Sequence, residues 1–114
     1  MTAYETHSQK KDHVTIVRIF APPMTACDPA KTWKSAAKMI ERRLRAWYGE
    51  AIQTEFIELF SPESFTHPEI MQLVETDAAS PPYITINGVL VSSGGKLSDG
   101  VIRRELERLG VTSS

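Results

Sequence analysis

The chain has 114 residues, 41% of them hydrophobic and 24% charged, with a formal net charge of −1 and one cysteine. This suits a single globular domain, and the balanced charge excludes a global pull on nucleic acid or an anionic membrane. No apolar run approaches the roughly 20 residues that span a bilayer, and one cysteine excludes a disulfide framework and any multi-cysteine metal site.

Residues 1–12 are polar and aperiodic, and read as a flexible tail. They contain no apolar signal core, so a cytoplasmic location is expected. From His13 the run Val14-Thr15-Ile16-Val17-Arg18-Ile19-Phe20-Ala21 reads as a buried strand rich in β-branched residues. The segment Pro22-Pro23-Met24-Thr25-Ala26-Cys27-Asp28-Pro29 breaks it and supplies a helix start, with Asp28 as N-cap and Pro29 at the first helical position. Trp33, Ala37, Ile40, Leu44 and Trp47 then fall close to helical spacing, predicting a helix to about Tyr48 that stops at Gly49.

A second strand is expected from about Gln53 to Phe60, with Phe56, Ile57, Leu59 and Phe60 as its apolar content. Pro62 ends it. Thr66-His67-Pro68-Glu69 fits a capping box, Thr66 capping and Glu69 reaching back. The helix behind it runs to about Asp77 and buries Ile70, Leu73 and Val74. Next, Pro81-Pro82 leads into two β-branched runs separated by Asn87-Gly88, the strongest short-range hairpin signal, because a type I′ turn needs positive φ at both central residues. A proline pair at the mouth of a hairpin points to a cis bond, most readily Pro81–Pro82. A Gly94-Gly95 turn follows, then a last helix capped by Ser98 that buries Ile102, Leu106 and Leu109 before Gly110. Residues 111–114 form a short tail.

The element order is β-α-β-α-β-β-α. The first β-α-β unit should be right-handed with parallel strands, and the hairpin antiparallel. The outcome is an α/β domain over residues 13–110, a four-stranded mixed sheet flanked by helices.

Cys27 is the single soft nucleophile, and it falls where the first strand hands over to the first helix. Unpaired amides and the positive helix end favour the thiolate there. Lys31 adds to this and Asp28 opposes it.

The strand–loop–cysteine–helix junction and Pro82 opening the hairpin resemble the thioredoxin-like superfamily over about residues 13–110, including the glutaredoxins and, more loosely, the YuzD-like disulfide oxidoreductases. That family carries two cysteines separated by two residues at this junction, next to the cis proline. Two registers fit. In one, Met24-Thr25-Ala26-Cys27 occupies the motif, with Met24 at the attacking position and Cys27 as the resolving thiol. In the other, Cys27-Asp28-Pro29-Ala30 occupies it as in a monothiol glutaredoxin.

Neither register supports a dithiol cycle, which needs an attacking and a resolving sulfur in one chain. The resemblance leaves at most a monothiol oxidoreductase of thiol-redox lineage, with Cys27 as candidate thiol, Lys31 as activator and Pro82 beside it. Pro81, Pro82 and Tyr83 would face a substrate. The cofactor it would allow is glutathione, but Pro81 has no N–H for the backbone clamp that family members use. The alternative is a non-catalytic protein-interaction module on the same fold.

Lys31, Lys34, Lys38, Arg42, Arg43 and Arg45 make the first helix basic, while Glu50 to Asp77 carries seven acidic residues and no Lys or Arg. Such separation suits steering of a charged protein partner or solvated faces with helix-to-strand ion pairs. The apolar outer strands would also allow a homodimer through a sheet edge. His7, His13 and His67 lack metal-ligand spacing, and no metal is expected.

Overall fold

The computed structural model describes residues 14–22, 32–95 and 97–111. Four strands and three helices alternate: β1 (Thr15–Ala21), α1 (Trp33–Tyr48), β2 (Ile52–Glu58), α2 (Pro68–Thr76), β3 (Tyr83–Ile86), β4 (Val89–Ser93) and α3 (Asp99–Arg108). The sheet order is β2-β1-β3-β4. β1 pairs with β2 in parallel, while β1–β3 and β3–β4 are antiparallel. This is the α/β, thioredoxin-like arrangement expected from the element order.

Alternation along the strands divides the core in two, since successive side chains point to opposite faces. Val17, Ile19, Ile52, Ile84 and Ile86 meet Ala37, Ile40, Leu44 and Tyr48 of α1 and Ile102 and Leu106 of α3. On the other face Phe20, Ile57, Leu59 and Tyr83 meet Ile70 of α2. α1 and α3 therefore share one face, and α2 covers part of the other. Arg18 and Glu55, on that second face, pair at 2.8 Å between β1 and β2.

The hairpin turn holds as expected. Asn87 and Gly88 have φ of 52° and 84°, and Asn87 also ties back to β1: its Oδ1 accepts the Ile16 N–H at 2.9 Å, and its own N–H donates to the Ile16 carbonyl at 2.8 Å. The Pro81–Pro82 peptide is cis. Beyond β4 the chain turns through Gly94 and Gly95, at φ 75° and 70°, and Ser98 Oγ caps α3 by accepting the Val101 N–H.

Four expectations fail locally. The helix predicted from Pro29 begins at Trp33, because Thr32 is extended (φ −85°, ψ 162°) and its Oγ1 accepts the Ser35 N–H. Phe60 does not extend β2. It lies in a turn at φ 68°, 58% exposed, because both the N–H and the Oγ of Ser61 turn back to the Glu58 carbonyl. The capping box at Thr66 does not form: Ser64–Thr66 is a 3-10 turn, Thr66 Oγ1 donates to the Glu63 carbonyl, and His67 is the N-cap of α2 without a side-chain bond. Leu109, predicted to be buried, is 52% exposed beyond the last turn of α3.

Candidate functional site

β1 and β2 end, and β3 begins, at the same edge of the molecule, since Phe20 lies opposite Tyr83 and Ala21 opposite Glu58. The N-terminus of α1 at Thr32, the connection from Leu59 to His67 and the Pro81-Pro82 step gather there with them. Leu59 N–H donates to the Ala21 carbonyl at 2.8 Å, and the Phe20 and His67 rings meet edge-to-face at 5.1 Å.

Cys27, Met24 and Lys31 lie outside the described residues, as do Asp28 and Pro29. α1 itself is capped at Thr32, five positions after Cys27 in sequence.

The proline loop is largely occupied by its own structure. Pro82 is fully buried, and its carbonyl accepts the Gly94 N–H at 3.0 Å. Tyr83, expected at a substrate surface, is fully buried, and its hydroxyl donates to the Ala79 carbonyl at 2.7 Å. Burial raises its pKa above the ordinary 10.0, and the Asp77 carboxylate raises it further. Of the three residues, Pro81 alone is exposed, and it has a carbonyl but no N–H to offer.

Open space lies instead beside β2. A cavity of about 130 Å³ is lined by Pro22, Thr32, Trp33, Lys34, Phe56 and Glu58. It shares Lys34, Phe56 and Glu58 with a groove of about 320 Å³ that continues to Ser61 and Glu63. The connection after β2 forms the outer lip, pinned by Ser61 Oγ to the Glu58 carbonyl (2.6 Å), Ser64 Oγ to the Ser61 carbonyl (2.7 Å) and Thr66 Oγ1 to the Glu63 carbonyl (2.7 Å). On this braced segment Phe60 and Phe65 are 58% and 60% exposed. Neither stood out in the sequence, where Phe60 passes for a strand residue. The signal that identifies them is Phe60-Ser61-Pro62-Glu63-Ser64-Phe65, two aromatics around a turn-forming run.

A larger groove of about 600 Å³ lies at the opposite end of β2, lined by Glu41, Arg45, Glu50 and Gln53 among others. None of Pro81, Pro82 and Tyr83 lines it. Among the described residues no group of three or more His, Cys, Asp or Glu could hold a metal ion, and no helix is long and apolar enough to cross a membrane. On the basic face of α1, Arg43 pairs with Asp99 of α3 at 3.4 Å and Arg45 with Glu41 one turn earlier on α1 at 3.6 Å. No ion pair joins α1 to β2 among the described residues.

No family model matches the chain, and no curated protein does. Among solved structures, the protein of unknown function SA0789 from Staphylococcus aureus aligns with a TM-score of 0.59 at 17% identity, covering 84% of this chain and 92% of its own. Thioredoxin O2 from Arabidopsis thaliana, in its oxidized state, aligns with a TM-score of 0.49 at 12% identity, covering 95% and 87%. Such identities speak for the fold alone. The thioredoxin-like arrangement rests on the element order and on the sheet order β2-β1-β3-β4 with β1 and β2 parallel.

Proposed function

We propose that this chain is a non-catalytic protein-interaction module on a thioredoxin-like fold, acting in the cytoplasm. It takes an apolar segment of a partner protein against Phe60, Phe65 and the groove beside Phe56. The observation that carries this is the exposure of two phenylalanines on a segment whose backbone is braced by three side-chain hydrogen bonds. Each of these aromatics, a little over half exposed, forgoes burial free energy of about 1–2 kcal/mol. A braced segment loses less entropy on binding than a loose one. Lys34, Glu58 and Glu63 rim the groove with both signs of charge, which favours polar partner groups around an apolar centre.

The second reading keeps Cys27 as a monothiol site that forms mixed disulfides with glutathione or a partner thiol. It is favoured by the position of the chain's single cysteine between β1 and α1. The buried Tyr83, the occupied Pro82 carbonyl and the missing Pro81 N–H weigh against it.

Selection from a displayed peptide library, with alkylation of Cys27 followed across pH in parallel, tests both. The module reading expects selected peptides rich in apolar residues, binding lost in Phe60→Ser and Phe65→Ser, and binding retained in Cys27→Ser. A Cys27 pKa well below the ordinary thiol value of about 8.5, with glutathione uptake from its disulfide, would replace it with the monothiol reading.

A further inference from the structure

The two edges of the sheet differ in a way that selects one of them for self-association. β2 forms one edge and carries Glu55 and Glu58 on the strand, with Glu50 just before it. β4 forms the other edge, and from Tyr83 to Gly95 the chain has no charged residue at all. Natural edge strands are commonly protected from pairing by charge, proline or a bulge. β4 has only a register shift opposite Ile84 and Thr85, and among the described residues it pairs only with β3.

Its apolar side chains are also uncovered. Val89 is 65% exposed and Leu90 40%. α3 begins past the Gly94-Gly95 turn and runs back along the sheet, so its far end approaches the Asn87-Gly88 end of β4. That far end carries Leu109, itself 52% exposed. Among the described residues, half of the six exposed large hydrophobics (Met39, Phe60, Phe65, Val89, Leu90 and Leu109) thus belong to the β4–α3 edge. The last turns of α3 also expose Arg104, Glu107 and Arg108, charges of both signs.

We propose that β4 is the docking site for a second copy of this chain, the two β4 strands pairing antiparallel about a twofold axis into one continuous eight-stranded sheet. A twofold interface places the same patch on both sides, so it must be self-complementary. β4 satisfies this because an uncharged strand meets its own copy without repulsion, the backbone groups of its outer edge pair reciprocally, and apolar side chains flank the seam on both faces, Val89 on the face of Ile86 and Leu90 on the face of Thr85. The β2 edge fails the same requirement, because its glutamates would be brought against one another.

Multi-angle light scattering of the full chain over roughly 1–300 µM tests the assignment. A dimer is expected, with Leu90→Lys and Val89→Lys each raising the dissociation constant at least about 100-fold, because each copy then brings a lysine to an edge that pairs while uncharged. Gln53→Lys on β2 should leave the dimer intact. Circular dichroism checks folding, and Val89, the more exposed of the pair, serves if Leu90→Lys does not fold. A monomer across the whole range, a dimer indifferent to both lysines, or one lost equally in Gln53→Lys overturns the proposal.

Discussion

Asn87 carries a structural load that can be separated into parts. The β1–β3 ladder ends at Val17–Ile86, and Asn87 extends it by one step, giving its Oδ1 to the Ile16 N–H and its own N–H to the Ile16 carbonyl. It does so at φ 52°, a left-handed conformation that asparagine accepts better than most residues. Asn87→Ala removes the side-chain bond, worth about 1 kcal/mol, and puts a Cβ residue without local compensation into that conformation, for about 1 kcal/mol more. The expected loss is about 2 kcal/mol, which lowers Tm by about 8–16 °C in a domain of this size. Asn87→Gly adopts the backbone freely and forfeits chiefly the bond, so about 1 kcal/mol is expected. Asn87→Asp keeps an acceptor and should stay close to the parent. Thermal and urea unfolding at neutral pH read all three. If glycine proves as damaging as alanine, the conformational part is wrong; if aspartate proves as damaging as alanine, the hydrogen bond is not what matters.

Thr32→Ala should cost about 1 kcal/mol in urea unfolding, with Thr32→Asp close to neutral; no effect from alanine would move the cap of α1 upstream, toward Asp28. Leu44→Ala removes a fully buried side chain and should cost about 2–5 kcal/mol, whereas Leu109→Ala should stay within about 0.5 kcal/mol at concentrations where the chain is monomeric. Equal effects would contradict the exposure of Leu109. Tyr83 holds its proton more tightly folded than unfolded, so its contribution is complete below pH 10.0 and declines as pH rises from there toward the raised folded value. Tyr83→Phe should flatten that alkaline decline in unfolding free energy and remove from an ultraviolet titration a tyrosine that ionises above the ordinary 10.0. An unchanged alkaline slope would refute the assignment.

The fold was legible because its signals are local and redundant. Asn87-Gly88 needs nothing but its own φ preferences to specify a turn, and Val14 to Ala21 has no other use for so many β-branched residues than a central strand. Helix ends were less legible, since several residues compete for one role. Asp28-Pro29 and Thr32 both qualify as the start of α1, and Thr66 spends its hydroxyl on Glu63 rather than on α2. The candidate site was harder still. Composition cannot distinguish a phenylalanine that ends a strand from one turned outward by the Ser61 turn, two residues past the last ladder pair at Glu58. Pro82 and Tyr83 were found by pattern, but their burial depends on contacts with Ala79, Gly94 and α2 that no local motif encodes.

The two proposed surfaces lie at opposite edges of the sheet, which makes their combination testable. In the twofold dimer the strand order becomes β2-β1-β3-β4-β4-β3-β1-β2, so the connections bearing Phe60 and Phe65 fall at the two outer ends. Seven strand spacings of about 4.8 Å place them about 34 Å apart, measured along the sheet. A dimer of this kind presents two copies of one weak site, and its grip on a partner carrying closely spaced repeats exceeds that of either site by avidity. Leu90→Lys should therefore leave binding of a single soluble peptide unchanged while weakening capture by the same peptide immobilised at high density, by at least about tenfold. Phe65→Ser should weaken both formats. A Leu90→Lys chain that loses soluble-peptide binding would place the partner on β4 itself and refute the separation of the two surfaces.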